Sequence, residues 1–310
     1  MENRKAGKRM RLLKTYAPLY LLTIPGLLYL LINNYLPMLG LVIAFKDVNF
    51  SKGILGSDWI GFKNFEYLFK TSDAYFITRN TILYNSAFIV LNLIVAVGVA
   101  ILLNEIRSKL MARFYQSVVL LPYLISMVIV SYLGYAVLSM DTGFLNKTVL
   151  PLFGMDEIAW YNEPKYWPYI LTFIHTWKGA GFLCVVYLAA IIGIDQEYYE
   201  AATLDGASKR QQIRSITLPL IAPVITMMTL LAIGRIFYSD FGLFYQVPMD
   251  SGSLFNATNV IDTYVYRGLM QLGDIGMSSA AGMYQSLVGF VLVLLSNYVV
   301  RKFNRENALF

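Results

Sequence analysis

Two of the side chains most used for chemistry are nearly missing from this chain of 310 residues, which has one cysteine, Cys184, and one histidine, His175. A single cysteine rules out an internal disulfide, and a single histidine rules out an H-E-x-x-H helix or any multi-histidine metal site. Charge is scarce, at 14% of residues, where soluble domains carry about a quarter. No G-x-x-x-x-G-K-[ST] segment occurs. The nearest fragment, Gly143-Phe-Leu-Asn-Lys147-Thr148, lacks the spacing, so the chain has no phosphate-cradling loop of that kind. A net charge of +6, spread over chain ends and short loops, is not the continuous basic face that nucleic acid requires. What is present is apolar: 57% of residues are hydrophobic, a membrane composition in which Cys184 reads as a small packing residue.

Six apolar runs are long enough for a bilayer core, which needs about 20 residues. They predict an all-α polytopic membrane fold with six transmembrane helices at 15–45, 81–103, 114–138, 166–194, 216–239 and 279–300. A basic tail over 1–14 precedes one membrane domain over 15–310. The first run exceeds the length of a crossing and contains Pro18, Pro25 and Pro37, so tilt or a kink is expected. It is also too long for a signal-peptide core of about 7–15 residues, which predicts an uncleaved span. Lys and Arg set the orientation. Fifteen lie in the two tails, Arg4 to Arg305 at their extremes, and in the loops around Arg107 and Lys209, against eight in the other three loops. Both termini and the 195–215 loop are therefore predicted to face the cytoplasm.

That loop is far longer than a turn needs: YYEAATLDGASKRQQIRSITLP occupies 198–219. Asp195 suits an N-cap and Glu197 a first helical turn, predicting a helix over 196–205 about 15 Å long. Gly206 can take the left-handed conformation that ends it. Ser208-x-x-Gln211 is a capping box for a second helix leading through Ile213, Ile216 and Leu218 into the membrane, with Pro219 and Pro223 interrupting its backbone bonding. Ala201 and Ala202 beside Glu200 offer a face that another backbone can approach closely. From the residues alone, an ordinary surface hairpin explains the caps and turns as well.

Glu200-Ala201-Ala202, three residues, Gly206, nine residues, Ile216-x-Leu218-Pro219 resembles the E-A-A-x3-G-x9-I-x-L-P signature of ABC-importer permeases, with every fixed position filled. The segments NNYLPMLGLVIAF (33–45), WIGFKNFEYLF (59–69), YLAAIIGIDQEYYEAATLDGAS (187–208) and IDTYVYRGL (261–269) resemble the carbohydrate branch, and within it the oligosaccharide permeases that pair with a second, homologous subunit. The resemblance implies that 196–205 is a coupling helix seated in a groove of a separate ATPase subunit dimer. Glu200, Ala201, Ala202, Asp205 and Gly206 would form the docking surface, and Leu218 and Pro219 would join it to the fifth span. It implies further partners: a homologous permease and an extracellular solute-binding protein. ATP and Mg would be bound by the ATPase, and no cofactor by this chain.

Ionisable residues inside spans tend to face cavities or partners. Lys178 lies roughly 18 Å along the fourth span from Tyr166 at the helical rise, and Arg235 lies near the outer end of the fifth. A substrate path lined by Trp177, Lys178, Arg235 and Tyr238 is expected: aromatic faces match the C–H faces of sugars, and cations favour an acidic one. The competing readings are that Lys178 pairs with a partner subunit, Arg235 snorkels to headgroups and Trp177 only packs. Gly179 and Gly181 would permit close helix packing, and His175 would pack in the fourth span. The loops over 46–80, 139–166 and 241–278 are long enough to dock the binding protein. In WYNEPKYW (160–167), Trp167 reads as an interfacial anchor, and DTYVYRGLMQ (262–271) as an in-plane helix or a lid. Asn146-Lys-Thr148 and Asn256-Ala-Thr258 match the glycosylation pattern by coincidence.

The expected function is passage of an oligosaccharide through the permease subunit of an ATP-driven importer, with no catalytic residue and no metal site. An importer for a non-sugar solute would carry the same elbow. An ion-coupled secondary transporter would want acidic residues in the spans, and none of the six runs contains Asp or Glu. A membrane-embedded enzyme would need a buried nucleophile–base or metal cluster, for which one histidine and one cysteine give little material.

Overall fold

A computed structural model describes residues 2–70 and 72–303, so Arg305 of the basic C-terminal segment lies outside the described residues. The first helix, α1 (Glu2–Leu30), continues through a wide turn at Leu31–Tyr35, a short α segment and a tighter 3₁₀ stretch at Leu39–Phe45. A two-residue antiparallel ribbon, β1 (Lys46–Asp47) with β2 (Asp58–Trp59), and α2 (Lys63–Lys70) follow. Then come α3 (Ser72–Asn104), α4 (Lys109–Leu124), α5 (Met127–Leu138), α6 (Trp167–Ile192) and α7 (Gln196–Leu204). The bundle is completed by α8 (Lys209–Gly234), α9 (Phe241–Gln246), α10 (Ile261–Met270) and α11 (Ile275–Phe303).

Five helices are long and apolar enough to cross a membrane, and a sixth crossing is made by the bent pair α4 and α5. The nearly all-helical, six-crossing expectation therefore holds, with three differences in detail. The second span begins earlier than 81, because α3 carries polar Arg79 and Asn80 inside the helix. The Asn80 amide donates to the carbonyls of Asn256 and Asn259, both at 3.0 Å. The third span is not one helix over 114–138: α4 and α5 meet at 94°. Pro122 sits in the last turn of α4, and Ser126 turns its hydroxyl back to the Ile129 N–H to start α5. The fifth span does not stay helical to 239, since α8 stops at Gly234.

Prolines bend the ladder here without breaking it. Each of three wide turns, Leu31–Tyr35, Leu145–Val149 and Ile213–Thr217, is followed by a Leu-Pro pair. Proline lacks an N–H and its ring crowds the carbonyl four residues back. In a widened turn the N–H of Leu36, Leu150 or Leu218 reaches the carbonyl of Leu31, Leu145 or Ile213 instead, as in a π-bulge. The backbone bonding before Pro219 is thus rerouted rather than interrupted, while Pro223 lies inside the helix that follows.

The tightest helix pair is α3 with α6. Phe88 stacks on His175 with ring centroids 3.7 Å apart, and one turn further along both helices Asn92 sits against Gly179. The two helices therefore run parallel and in step. Around them lie three apolar clusters, one at each end of the pair and one where α10 and α11 meet the start of α3. Cys184 is buried in the second of these, as expected of a packing residue. Only 6% of the most apolar stretch of the first span is buried within the chain, which leaves that helix to be covered by lipid or by another subunit.

Candidate transport path and coupling elbow

Two breaks in the spans carry the polar features of the bundle. Non-helical backbone at membrane depth persists only where its polar groups are met from within the protein or line a cavity. At the α4–α5 break those groups are met by Lys178. Its ammonium donates to the carbonyls of Pro122, Tyr123 and Ile125 at 3.3, 2.9 and 2.5 Å and lies 5.8 Å from the Tyr123 ring centre. A cation at a helix C-terminus also meets the negative end of the helix dipole. The approach depends on Gly181, where a Cβ would come within 2.1 Å of the Val119 carbonyl oxygen; the missing side chain lets α6 touch the backbone of α4. Lys178 is therefore committed to holding a broken span.

The second break follows Gly234. Here three neighbouring helices supply partners for residues 236–239. Asn85 of α3 donates to the Ile236 carbonyl at 2.8 Å, and Gln285 of α11 donates to the Phe237 carbonyl at 2.6 Å. Asp262 of α10 accepts from the Ser239 N–H at 2.8 Å and from Gln285 at 3.1 Å. Burial raises the Asp262 carboxyl above the ordinary carboxylate range, and the bonds from Ser239 and Gln285 pull it partly back. Asp240 then caps α9 by accepting from the Leu243 N–H.

Beside this second break a cavity of about 390 Å³ opens between α3, α6 and α8. Arg235 and Tyr238 line it, together with His175, Asn85, Phe88 and Asn92. Arg235 forms no ion pair among the described residues. The buried Asn92 Oδ1 has no hydrogen-bond partner among the described residues. Of the four residues expected on one path, the structure brings Arg235 and Tyr238 to one cavity and places the other two elsewhere. Lys178 is turned to the α4 carbonyls, and Trp177 lines a separate apolar groove with Val130, Tyr169 and Phe173. Nothing in the sequence told Asn85, Asn92 and His175 apart from packing residues; the signal that could have was two polar amides, seven residues apart, in an otherwise apolar run.

The elbow has the predicted caps. Asp195 accepts from the Glu197 N–H at 3.1 Å, Gly206 has φ +79°, and Ser208 with Gln211 forms a reciprocal capping box. Two side-chain bonds brace α7 against α8: Tyr199 with Thr217 at 2.9 Å, and Gln212 to Thr203 at 2.9 Å. Lys209 pairs with Glu105 at 3.3 Å, tying the elbow to the loop between α3 and α4. Glu200, Ala201, Asp205, Gly206 and Pro219 are exposed, and Ala202 and Leu218 half-buried. Leu204, which sequence reasoning did not single out, is 89% exposed at the tip of α7.

The outer loops pack differently from expectation. Trp167 is no interfacial anchor: it is fully buried and donates its indole N–H to the Trp160 carbonyl at 2.7 Å. Asn146 is buried as well, bonded to the Ser139 and Ile158 carbonyls. The 262–271 stretch is helical, as α10.

A bundle of broken spans with a braced helical elbow matches a known family. Residues 89–305 fit the model of the binding-protein-dependent transport system inner membrane component. The chain belongs to that family. Among curated relatives, the permease is 38% identical to the polygalacturonan/rhamnogalacturonan transport system permease protein YteP of Bacillus subtilis (strain 168), over 97% of this chain and 94% of that one. It is 36% identical to protein LplB of the same organism, over 96% and 92%. Among solved structures it superposes on a chain of a bacterial ABC transporter involved in the import of the acidic polysaccharide alginate, with TM-score 0.88, 32% identity and coverage of 96% and 99%. The match extends to that transporter in complex with an alginate pentasaccharide-bound periplasmic protein, with TM-score 0.86, 32% identity and coverage of 94% and 97%. The permease is thus a carbohydrate-type ABC transport component.

Proposed function

We propose that the permease forms half of a heteromeric importer for an acidic oligosaccharide, with a homologous permease, two ATPase copies and an extracellular binding protein. It would sit in the bacterial plasma membrane with both termini in the cytoplasm. The observation that carries the reading is the cavity beside the α8 break, which Arg235, without an acidic partner among the described residues, lines together with Tyr238, Asn85 and Asn92. A carboxylated sugar offers each of these a match: carboxylate to guanidinium, hydroxyls to amides, and C–H faces to the ring. The relatives' pectic and alginate cargoes agree in chemical class. The bare first span and the groove at Trp177 are the surfaces left for lipid or for the second permease.

The tip of the elbow, with Glu200, Ala201, Leu204, Asp205 and Gly206 exposed and Ala202 half-buried among them, is the seat for the ATPase. Nucleotide-driven closure there can move the spans only if elbow contacts differ between inward-open and outward-open states, and the Tyr199–Thr217 and Thr203–Gln212 bonds make the elbow stiff enough to pass the motion to α8. The test of the cargo is uptake by the reconstituted transporter with Arg235→Gln. A lost charge-assisted hydrogen bond is worth about 1.5–3 kcal/mol, so uptake of an oligogalacturonate should fall about 10- to 100-fold while a neutral oligosaccharide of equal length changes little. Equal effects on both cargoes would overturn the assignment of Arg235.

A further inference from the structure

A second cleft, of about 520 Å³, runs along the outer side of the α3–α6 pair and has no part in the path described above. Its walls are apolar, formed by Leu83, Tyr84 and Ala87 of α3 and Pro168 of α6, and two cations, Arg79 and Lys165, stand among its lining residues. The helix register fixes where those cations lie. Because α3 and α6 run parallel with Phe88 beside His175 and Asn92 beside Gly179, Arg79 and Lys165 fall at the same level, two to three turns toward the helix starts.

Depth follows from the rise. From Arg79 to the end of α3 at Asn104 is roughly 37 Å of helix, against about 30 Å of hydrocarbon and 40–45 Å including headgroups. The two cations therefore sit in one headgroup layer when the other end of α3 sits in the opposite one, and the apolar cleft runs from them into the hydrocarbon. Both cations have internal partners, and neither is in a buried ion pair. Arg79 donates to the Asn80 side-chain oxygen at 3.0 Å and, at 3.4 Å, to the Asn256 carbonyl, and its guanidinium lies 5.3 Å from the Phe76 ring centre. It has no carboxylate partner among the described residues. Lys165 meets Glu163 at 3.3 Å with its side chain 66% exposed, an arrangement of little strength.

We propose that this cleft holds one anionic phospholipid, its phosphate between Arg79 and Lys165 and one acyl chain along Leu83, Tyr84, Ala87 and Pro168. An apolar groove capped at headgroup depth by two cations matches a lipid's two ends, whereas a sugar would leave the groove walls unmatched. With both termini in the cytoplasm, as proposed above, this is the outer leaflet. The inference is independent of the cargo assignment, since neither Arg235 nor the α8 cavity contributes to it.

The experiment is native mass spectrometry of the full chain, purified from membranes with the subunits it retains and exposed to equal amounts of phosphatidylglycerol and phosphatidylcholine of the same acyl composition. A basic side chain near a membrane surface favours an anionic lipid by about fivefold. The wild type should retain phosphatidylglycerol at least fivefold over phosphatidylcholine, and Arg79→Gln with Lys165→Gln should bring the ratio near one. If the Arg79 variant does not assemble, Lys165→Gln alone should still lower the preference, since that side chain holds only an exposed ion pair and a ring contact. Leu83→Trp, which fills the groove and keeps both cations, should reduce retention of both lipids. An unchanged preference in the charge variants would overturn the proposal, as would release of the retained lipid by excess oligogalacturonate, which would give the cations to the cargo instead.

Discussion

Lys178 was expected on the substrate path and is found holding the broken third span, and the two roles are separable by Lys178→Ala. Removing the ammonium takes a donor from three carbonyls at the end of α4. The Pro122 carbonyl keeps the Ile125 N–H, and water reaches the exposed Tyr123 carbonyl, so the part-buried Ile125 carbonyl carries the loss. A carbonyl left without a donor in such a place costs about 1–3 kcal/mol. At roughly 2 °C per kcal/mol for a chain of this size, the unfolding midpoint of the purified transporter should drop by about 2–6 °C. Differential scanning fluorimetry in detergent reads this directly, and uptake in proteoliposomes supplies the second axis. As a cap, Lys178 matters equally to acidic and neutral oligosaccharides, so both rates should fall by the same factor. A variant with the wild-type midpoint and a loss confined to acidic cargo would refute the cap and restore Lys178 to the path.

Three further outcomes are expected. Gly181→Ala places a Cβ against the backbone of α4; overpacking of this kind costs about 1–3 kcal/mol, and because it pushes α4 from α6 it should destabilise the same break as Lys178→Ala, with the double variant less than additive by fluorimetry. Asp262 has a raised folded pKa, so the folded state takes up its proton more readily than the unfolded chain. That contribution to stability is complete below the ordinary Asp value, near 3.9, and is lost as pH rises through the raised folded value. Asp262→Asn should flatten the thermal midpoint across that acid window, and an unaltered pH profile would show that another group governs it. The fold-selective loss of acidic cargo with Arg235→Gln completes the set, and wild-type uptake of oligogalacturonate by that variant would remove the charge argument.

Much of this architecture was legible before the structure. The spans followed from apolar run length, and the elbow from local chemistry: Asp195, Gly206 and the Ser208–Gln211 pair act through the backbone within four residues, so their geometry is written in the sequence. The α4–α5 break was hidden because hydropathy averages over a window, and the Pro122–Ser126 corner sits inside an unbroken apolar run. The direction of Lys178 was hidden for a related reason. Its position in a span shows that it must find partners, and only the glycine contact at Gly181, a fact of packing between two helices, shows that the partners are carbonyls. Arg235 and Tyr238 lie where a span ends, and there a break and a cavity coincide. Trp167 was misread because interfacial composition cannot tell an anchor from a buried corner.

In the proposed importer the exposed elbow passes force from a separate ATPase into the spans. Gly206 is the cleanest place to test it. Its φ of +79° is ordinary for glycine alone, but a Cβ there meets nothing within 4 Å. A side chain at 206 therefore strains one turn by about 1–2 kcal/mol and otherwise projects only toward a docked partner. Membranes carrying Gly206→Trp should show normal insertion and thermal midpoint within a few degrees, with ATP-driven oligosaccharide uptake abolished and ATPase subunits lost on purification. Full ATP-driven uptake by Gly206→Trp would contradict the account.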